Sequence, residues 1–212
     1  METDRKWIVI RIDGKLAGIS RDYDRLAEIS ARIAEEHRLR DASGKKRKTI
    51  KDEPLPYLDI QAAAMDFGQV LKLRQESRWE DLMLFGTDFQ KRVWKKLWEL
   101  LTGSTDENSS GSTKNKLLSY TDFAELCDNR AGVRAIADAV GLNPLPVVIP
   151  CHLIVPKEAI DRIEDIRRKA ESTIFRGEDL CTSAILEDPA IDFGEYALGK
   201  ELKRRLIQMD LQ

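Results

Sequence analysis

Histidine and cysteine are scarce in this chain: two histidines, His37 and His152, and three cysteines, Cys127, Cys151 and Cys181, among 212 residues. No two cysteines form a CxxC pair, and no Cys/His cluster has zinc-ligand spacing, so neither a metal centre nor a disulfide framework is expected. So few thiols suit a reducing compartment. No apolar run nears the ~20 residues that cross a bilayer, and Met1 to Lys6 lacks the apolar stretch of a signal peptide. The expectation is an intracellular protein, cytoplasmic or, in a eukaryote, nuclear. Net charge is missing too. Lys and Arg number 35 against 37 Asp and Glu, leaving −2. That excludes a protein that coats nucleic acid through a long basic stripe, but not one with a small local footprint. No internal repeat is present.

Apolar residues make up 42% of the chain, enough for one large domain or two small ones. Trp7 to Ile12 has the composition of a strand. Asp13-Gly14 follows, a pair that tolerates the positive φ of a hairpin turn, and Leu16 to Ile19 is the return strand. Tyr23 to Leu39 carries Leu26, Ile29 and Ile33 at helical spacing. Residues 40–56 are a loop holding Lys45-Lys46-Arg47-Lys48. A solvated loop, phosphate binding and nuclear import all fit such a run. Ile60 to Leu73 is ambiguous between strand and helix. The composition then breaks at Phe85-Gly86-Thr87, which divides the chain into residues 1–84 and 85–212.

The second part opens with a capping box, Thr87 with Gln90, ahead of a helix from Phe89 to Leu101. Phe89, Val93, Leu97 and Leu100 form its apolar stripe, widened by Trp94 and Trp98. Residues 102–116 are polar and read as an exposed loop. Tyr120 to Cys127 predicts a short helix with Cys127 in the core. Asp128 to Gly132 predicts a turn, and Val133 to Val140 a second helix stopped by Gly141 as its cap. Two short helices joined this way are a helix-turn-helix candidate, a pattern of low specificity for DNA. Leu145 to Ile149 reads as a buried extended run that ends at Pro150 and presents Cys151 and His152. Residues 157–192 are a charged insertion, helical around Ile160 to Ala170, and the final helix spans Leu198 to Met209. The fold class expected is α/β (α+β): an N-terminal α/β domain with a small sheet, then a mainly helical C-terminal domain with a winged-helix-like helix-turn-helix.

A cysteine reacts as its thiolate and needs a base or a positive field beside it. In an extended chain, Cys151 and His152 would point to opposite sides. They cooperate only if the chain turns sharply after Pro150 or if a water bridges them. A buried structural thiol is the alternative.

The chain resembles the O6-alkylguanine-DNA alkyltransferases, the methylated-DNA–protein cysteine methyltransferases. The resemblance rests on Gly86 to Trp94, Ser119-Tyr120, Val133-Arg134-Ala135-Ile136, and Asn143-Pro144-Leu145-Pro146-Val147-Val148-Ile149-Pro150-Cys151-His152. It resumes at Gly194-Glu195-Tyr196 and runs through Lys203 and Leu206. It implies that Cys151 takes an alkyl group from guanine O6, once and irreversibly, with His152 removing the thiol proton through a water. Asp210 falls where the family has a glutamate that orients this histidine. Asn143 would brace the turn, and Tyr120 would donate to guanine N3. The carbonyls of Cys151 and Ile154 would hold the exocyclic amine. Tyr196 would wall the pocket, the Ala197 amide would donate to O6, and Lys203 is a pocket residue by position. Arg134 would fill the gap left by the flipped nucleotide, with Ala135 and Arg130 also facing DNA. The implied partner is double-stranded DNA carrying O6-alkylguanine, bound by a monomer with no cofactor. A damage-recognition protein of the same family, one that binds the lesion without repairing it, is the alternative. Leu153 stands where the family usually has arginine, and Asp138 where a small residue is common. An unrelated cysteine hydrolase is disfavoured, because such enzymes draw cysteine and histidine from separate segments.

Overall fold

The computed structural model describes residues 6–38, 59–102, 117–171, 185 and 187–211. The basic run at 45–48, the polar stretch at 103–116 and Cys181 lie outside them, as does the side chain of His37. Two compact units are present. One comprises Met1–Lys91 with Asn143–Ile149, the other Arg92–Leu142 with Pro150–Gln212. The mixed α/β class expected from the sequence is what the chain adopts.

In the first unit, β1 (Trp7–Ile12) and β2 (Lys15–Ser20) form a hairpin. Asp13 (φ 49°) and Gly14 (φ 78°) take the two left-handed positions of its turn. The ambiguous stretch holds both elements. β3 (Ile60–Met65) pairs antiparallel with β1, and α2 (Phe67–Glu76) follows at once. The switch is made by Asp66, whose carboxylate accepts from the Gln69 amide while the Gln69 side chain accepts from the Asp66 amide. The strand order is β2-β1-β3. Helix α1 (Tyr23–Arg38) lays Leu26, Ile29 and Ile33 over Ile10, Ile12 and Ala17. It rides directly over Gly18, where a Cβ would lie 2.9 Å from the Ile29 Cγ2.

Helix α3 (Asp88–Thr102) starts at the expected capping box. The Thr87 amide donates to Gln90 Oε1 (3.0 Å) and the Gln90 amide to Thr87 Oγ1 (3.2 Å). In the second unit its residues Val93, Trp94, Leu97 and Trp98 are buried. β4 (Leu118–Ser119) pairs in parallel with β5 (Ile154–Val155). α4 (Tyr120–Leu126) is capped by Ser119, and α5 (Val133–Gly141) follows a 3-10 turn at Arg130–Gly132. Trp94 Nε1 donates to the Ala139 carbonyl of α5 at 2.8 Å, so the indole is buried with its one polar atom satisfied. α6 (Lys157–Glu171) and α7 (Lys200–Leu211) complete the unit.

Four expectations are corrected. Gly141 is the last residue of α5 and Leu142 the cap, with no left-handed glycine there. Cys127 is the half-buried cap of α4, outside the core proper. Leu145 to Ile149 is buried but compact; the Ile149 amide donates back to the Leu145 carbonyl at 2.8 Å. Its branched residues Val147, Val148 and Ile149 suit a strand, yet Asn143 offers a side chain that closes the chain into a turn. The fourth concerns the insertion, whose helix is longer than expected and forms part of the core. Ala159 and Ile163 of α6 pack with Leu153, Val155, Ile191, Phe193 and Ile207. Among the described residues, no helix is long and apolar enough to cross a membrane.

Candidate active site

The approach to Cys151 is built from Asn143. Its Nδ2 donates to the Ile149 carbonyl (2.9 Å) and its Oδ1 accepts from the Leu145 amide (3.0 Å). One carboxamide thereby satisfies both ends of the buried turn, where an unpaired backbone group would be costly. Inside it, Val147 has φ 76°, a left-handed conformation that a β-branched residue adopts only when its surroundings enforce it. Asn143 and residues 145–149 are all buried.

Beyond Pro150 the chain turns sharply. Cys151–Leu153 is a 3-10 turn closed by the Leu153 amide donating to the Pro150 carbonyl at 3.1 Å. This meets one of the two conditions for cooperation between Cys151 and His152. Cys151 is 7% exposed and His152 fully buried. His152 Nε2 lies 2.7 Å from Asp210 Oδ2, and that carboxylate comes from the far end of α7. With Nε2–H donated to the carboxylate, the lone pair resides on Nδ1. The Tyr196 ring meets the imidazole edge-on, centroids 6.4 Å apart and planes at 86°.

Two further groups answer to Cys151. Tyr120 sits half-buried at the start of α4; burial raises its phenol above the usual range, and the negative charge of a Cys151 thiolate raises it further. It therefore stays a hydroxyl donor at neutral pH. Lys203 is buried on α7 and donates to the carbonyls of Ile154 (2.9 Å) and Glu195 (3.4 Å). Burial pulls its ammonium down to about 8, while the Cys151 thiolate opposes that shift. At 1% exposure Lys203 is no solvated helix lysine. The Ile154 carbonyl is thus already engaged, although a carbonyl retains a second lone pair.

The wall segment depends on Gly194, which has φ 82° and whose added Cβ would lie 3.0 Å from Pro156 Cδ and Cγ. Tyr196 is half-buried and Ala197 exposed. On α5, Ile136, Ala139 and Val140 are buried, while Arg134 and Ala135 are exposed beside Asp138. Arg130 is exposed and pairs with Glu125 at 2.9 Å. Cys151, His152, Asp210, Tyr120, Lys203 and Tyr196 all belong to the second unit; Asn143 belongs to the first. Among the described residues, no three His, Cys, Asp or Glu side chains form a group that would hold a metal ion.

Residues 113–171 match the family profile described as 6-O-methylguanine DNA methyltransferase, DNA binding domain. A probable methylated-DNA–protein-cysteine methyltransferase of Acanthamoeba polyphaga mimivirus is 39% identical over 77 residues, 36% of this chain and 44% of that protein. The methylated-DNA–protein-cysteine methyltransferase of Kluyveromyces lactis is 31% identical over 113 residues, 52% of each chain. The solved O6-methylguanine-DNA methyltransferase of Pyrococcus kodakaraensis aligns with 99% of this chain and 95% of its own, at 20% identity and TM-score 0.47. The chain spans about half the length of the curated relatives it matches. The resemblance to the O6-alkylguanine-DNA alkyltransferase family is borne out. The profile match ends before Tyr196, Lys203 and Asp210, which join the site through the geometry above.

Proposed function

We propose that this protein repairs DNA by accepting an alkyl group from O6-alkylguanine onto Cys151. The observation that carries this is the buried 2.7 Å contact between His152 and Asp210, 58 residues apart, directly beside the cysteine. A histidine oriented by a carboxylate is a general base next to a thiol that must lose its proton to react. The Lys203 ammonium adds a positive charge in a low-dielectric setting, which favours the thiolate.

The step is a displacement. His152 takes the thiol proton, through a bridging water as the family resemblance implies. A sulfur lone pair forms the S–C bond as the C–O6 bond breaks. The electron pair returns to guanine, which takes up a proton from the Tyr120 hydroxyl. Tyr120 is replenished in turn by the proton that His152 removed. The product is a thioether with no leaving group to reverse it, so each chain acts once. The lesion reaches the buried sulfur only by leaving the duplex, at a cost of a few kcal/mol. Arg134, exposed at the start of α5, would occupy the gap. Ala135 and Arg130 lie beside it, and a few such contacts suit the near-neutral charge of the chain.

The test is a duplex oligonucleotide with one O6-methylguanine. Intact mass should show one added methyl, which Cys151→Ala abolishes. A folded protein that binds the lesion tightly yet leaves Cys151 unmodified would instead be a recognition protein, and the repair reading would fall.

A further inference from the structure

The turn that precedes Cys151 does not hold itself in place. Residues 143–149 leave the second unit and lie within the first, and the chain returns to the second unit at Pro150. Two groups of the first unit grip the turn at its start. Arg25 on α1 donates from Nη2 to the Asn143 carbonyl at 3.0 Å, and the Ile19 amide of β2 donates to the Pro144 carbonyl at 2.9 Å. The Arg25 side chain is only 17% exposed, so its bond to a carbonyl is shielded from competing water. Asn143 then ties its own carboxamide to Leu145 and Ile149. The sequence of contacts is therefore continuous: Arg25 to Asn143, Asn143 to Ile149, then the peptide bonds through Pro150 to the nucleophile.

We propose that Arg25 is a positioning residue for Cys151, acting through the turn at residues 143–149 that leads into the nucleophile. The turn has reason to need this. Val147 sits in a left-handed conformation inside it, and strain of that kind persists only where the surroundings over-determine the backbone. Arg25 fixes the residue whose side chain closes the turn. A cysteine displaced by about 1 Å from its attack line loses up to about a hundredfold in rate.

This inference rests on the alkyl-transfer reading, and the experiment keeps the two apart. Arg25→Met and Arg25→Lys are compared with the wild type on the O6-methylguanine duplex under single-turnover conditions. Lesion affinity is measured separately in a Cys151→Ala background, and hydrogen exchange is followed across residues 143–149. Arg25→Met should slow methyl transfer by about tenfold or more, leave lesion affinity within about twofold, and raise exchange at the Ile149 amide. The exchange of α5 and α7 should not change. Arg25→Lys keeps a cationic donor and should recover part of the rate. Wild-type transfer with an unaltered rate in folded Arg25→Met overturns the positioning role and leaves the repair reading intact. If the wild type transfers nothing, the repair reading falls, and exchange at Ile149 alone decides whether Arg25 holds the turn. Should Arg25→Met fail to fold, Arg25→Gln carries the test, because its shorter side chain gives up the reach to the Asn143 carbonyl. A rate and Ile149 protection equal to wild type in folded Arg25→Gln would overturn the positioning role.

Discussion

Cys127, half-buried, and Cys151, buried, are two free thiols in the same unit of the same chain. Around Cys127, burial pushes the thiol up to about 11; Asp128 and Glu99 add to the rise, and Lys96 only partly offsets it. Around Cys151 stand the Lys203 ammonium, a hydroxyl on Tyr120 and a histidine anchored by Asp210. Burial alone makes a thiol inert. The same burial concentrates the effect of charges and donors when they are supplied. The two sites differ in what was brought to each sulfur from distant parts of the chain.

The largest predicted effect collapses that difference. Asp210→Asn removes the charge that orients His152 and supports its protonated form. Single-turnover methyl transfer should slow by about a hundredfold, while labelling of Cys127 by a neutral alkylating reagent stays unchanged. A wild-type rate would mean that the anchored histidine is not what separates the two thiols.

Lys203 gives a smaller, pH-dependent contrast. Lys203→Met should slow transfer by about tenfold at pH 7. In the wild type, the rate should decline as pH rises through about 8, where the ammonium discharges. Lys203→Arg retains its charge and should shift that decline upward; an unshifted alkaline limb would clear Lys203 of this role. Stability reports on the same burial. The folded-state value, about 8, lies below the ordinary 10.5, so between them the unfolded chain binds more protons. The cost of the buried ammonium is in full force below pH 8 and fades toward 10.5. Wild type should therefore gain stability relative to Lys203→Met across that window, by up to about 3 kcal/mol. Urea melts at pH 7 and pH 10 measure it.

The smallest effect comes from the other thiol. Cys127→Ala should leave transfer untouched and cost about 1 kcal/mol or less, read by thermal melting. A large loss of transfer would place Cys127 in the reaction and end the contrast.

Local signals were legible in the sequence, and for local reasons. Asp13-Gly14 and the pair Thr87/Gln90 act within a few residues, so their chemistry dictates geometry without help from the fold. The Pro-Cys-His block and the position of Asp210 were legible through family resemblance. Lys203 was named only by its position in the family; its burial follows from where α7 docks and not from any local signal. What escaped was long-range. Arg25 reaches Asn143 across 118 positions, with no pattern in the sequence to announce it. Leu145 to Ile149 misled because Val147, Val148 and Ile149 have strand composition, while the turn is set by the Asn143 side chain. The insertion misled because charge dominates its composition, yet Ala159 and Ile163 fall on one helical face and find a core.

The Lys203 ammonium, held by the carbonyls of Ile154 and Glu195, also acts as a clasp on the chain between them. It fixes the two ends of a long excursion, and α6, Ile185, Ile191 and Phe193 secure both flanks. One side chain thus ties Ile154, three residues past the nucleophile, to Glu195, the neighbour of Tyr196. Shortening that side chain would slacken the floor and the wall of the site together.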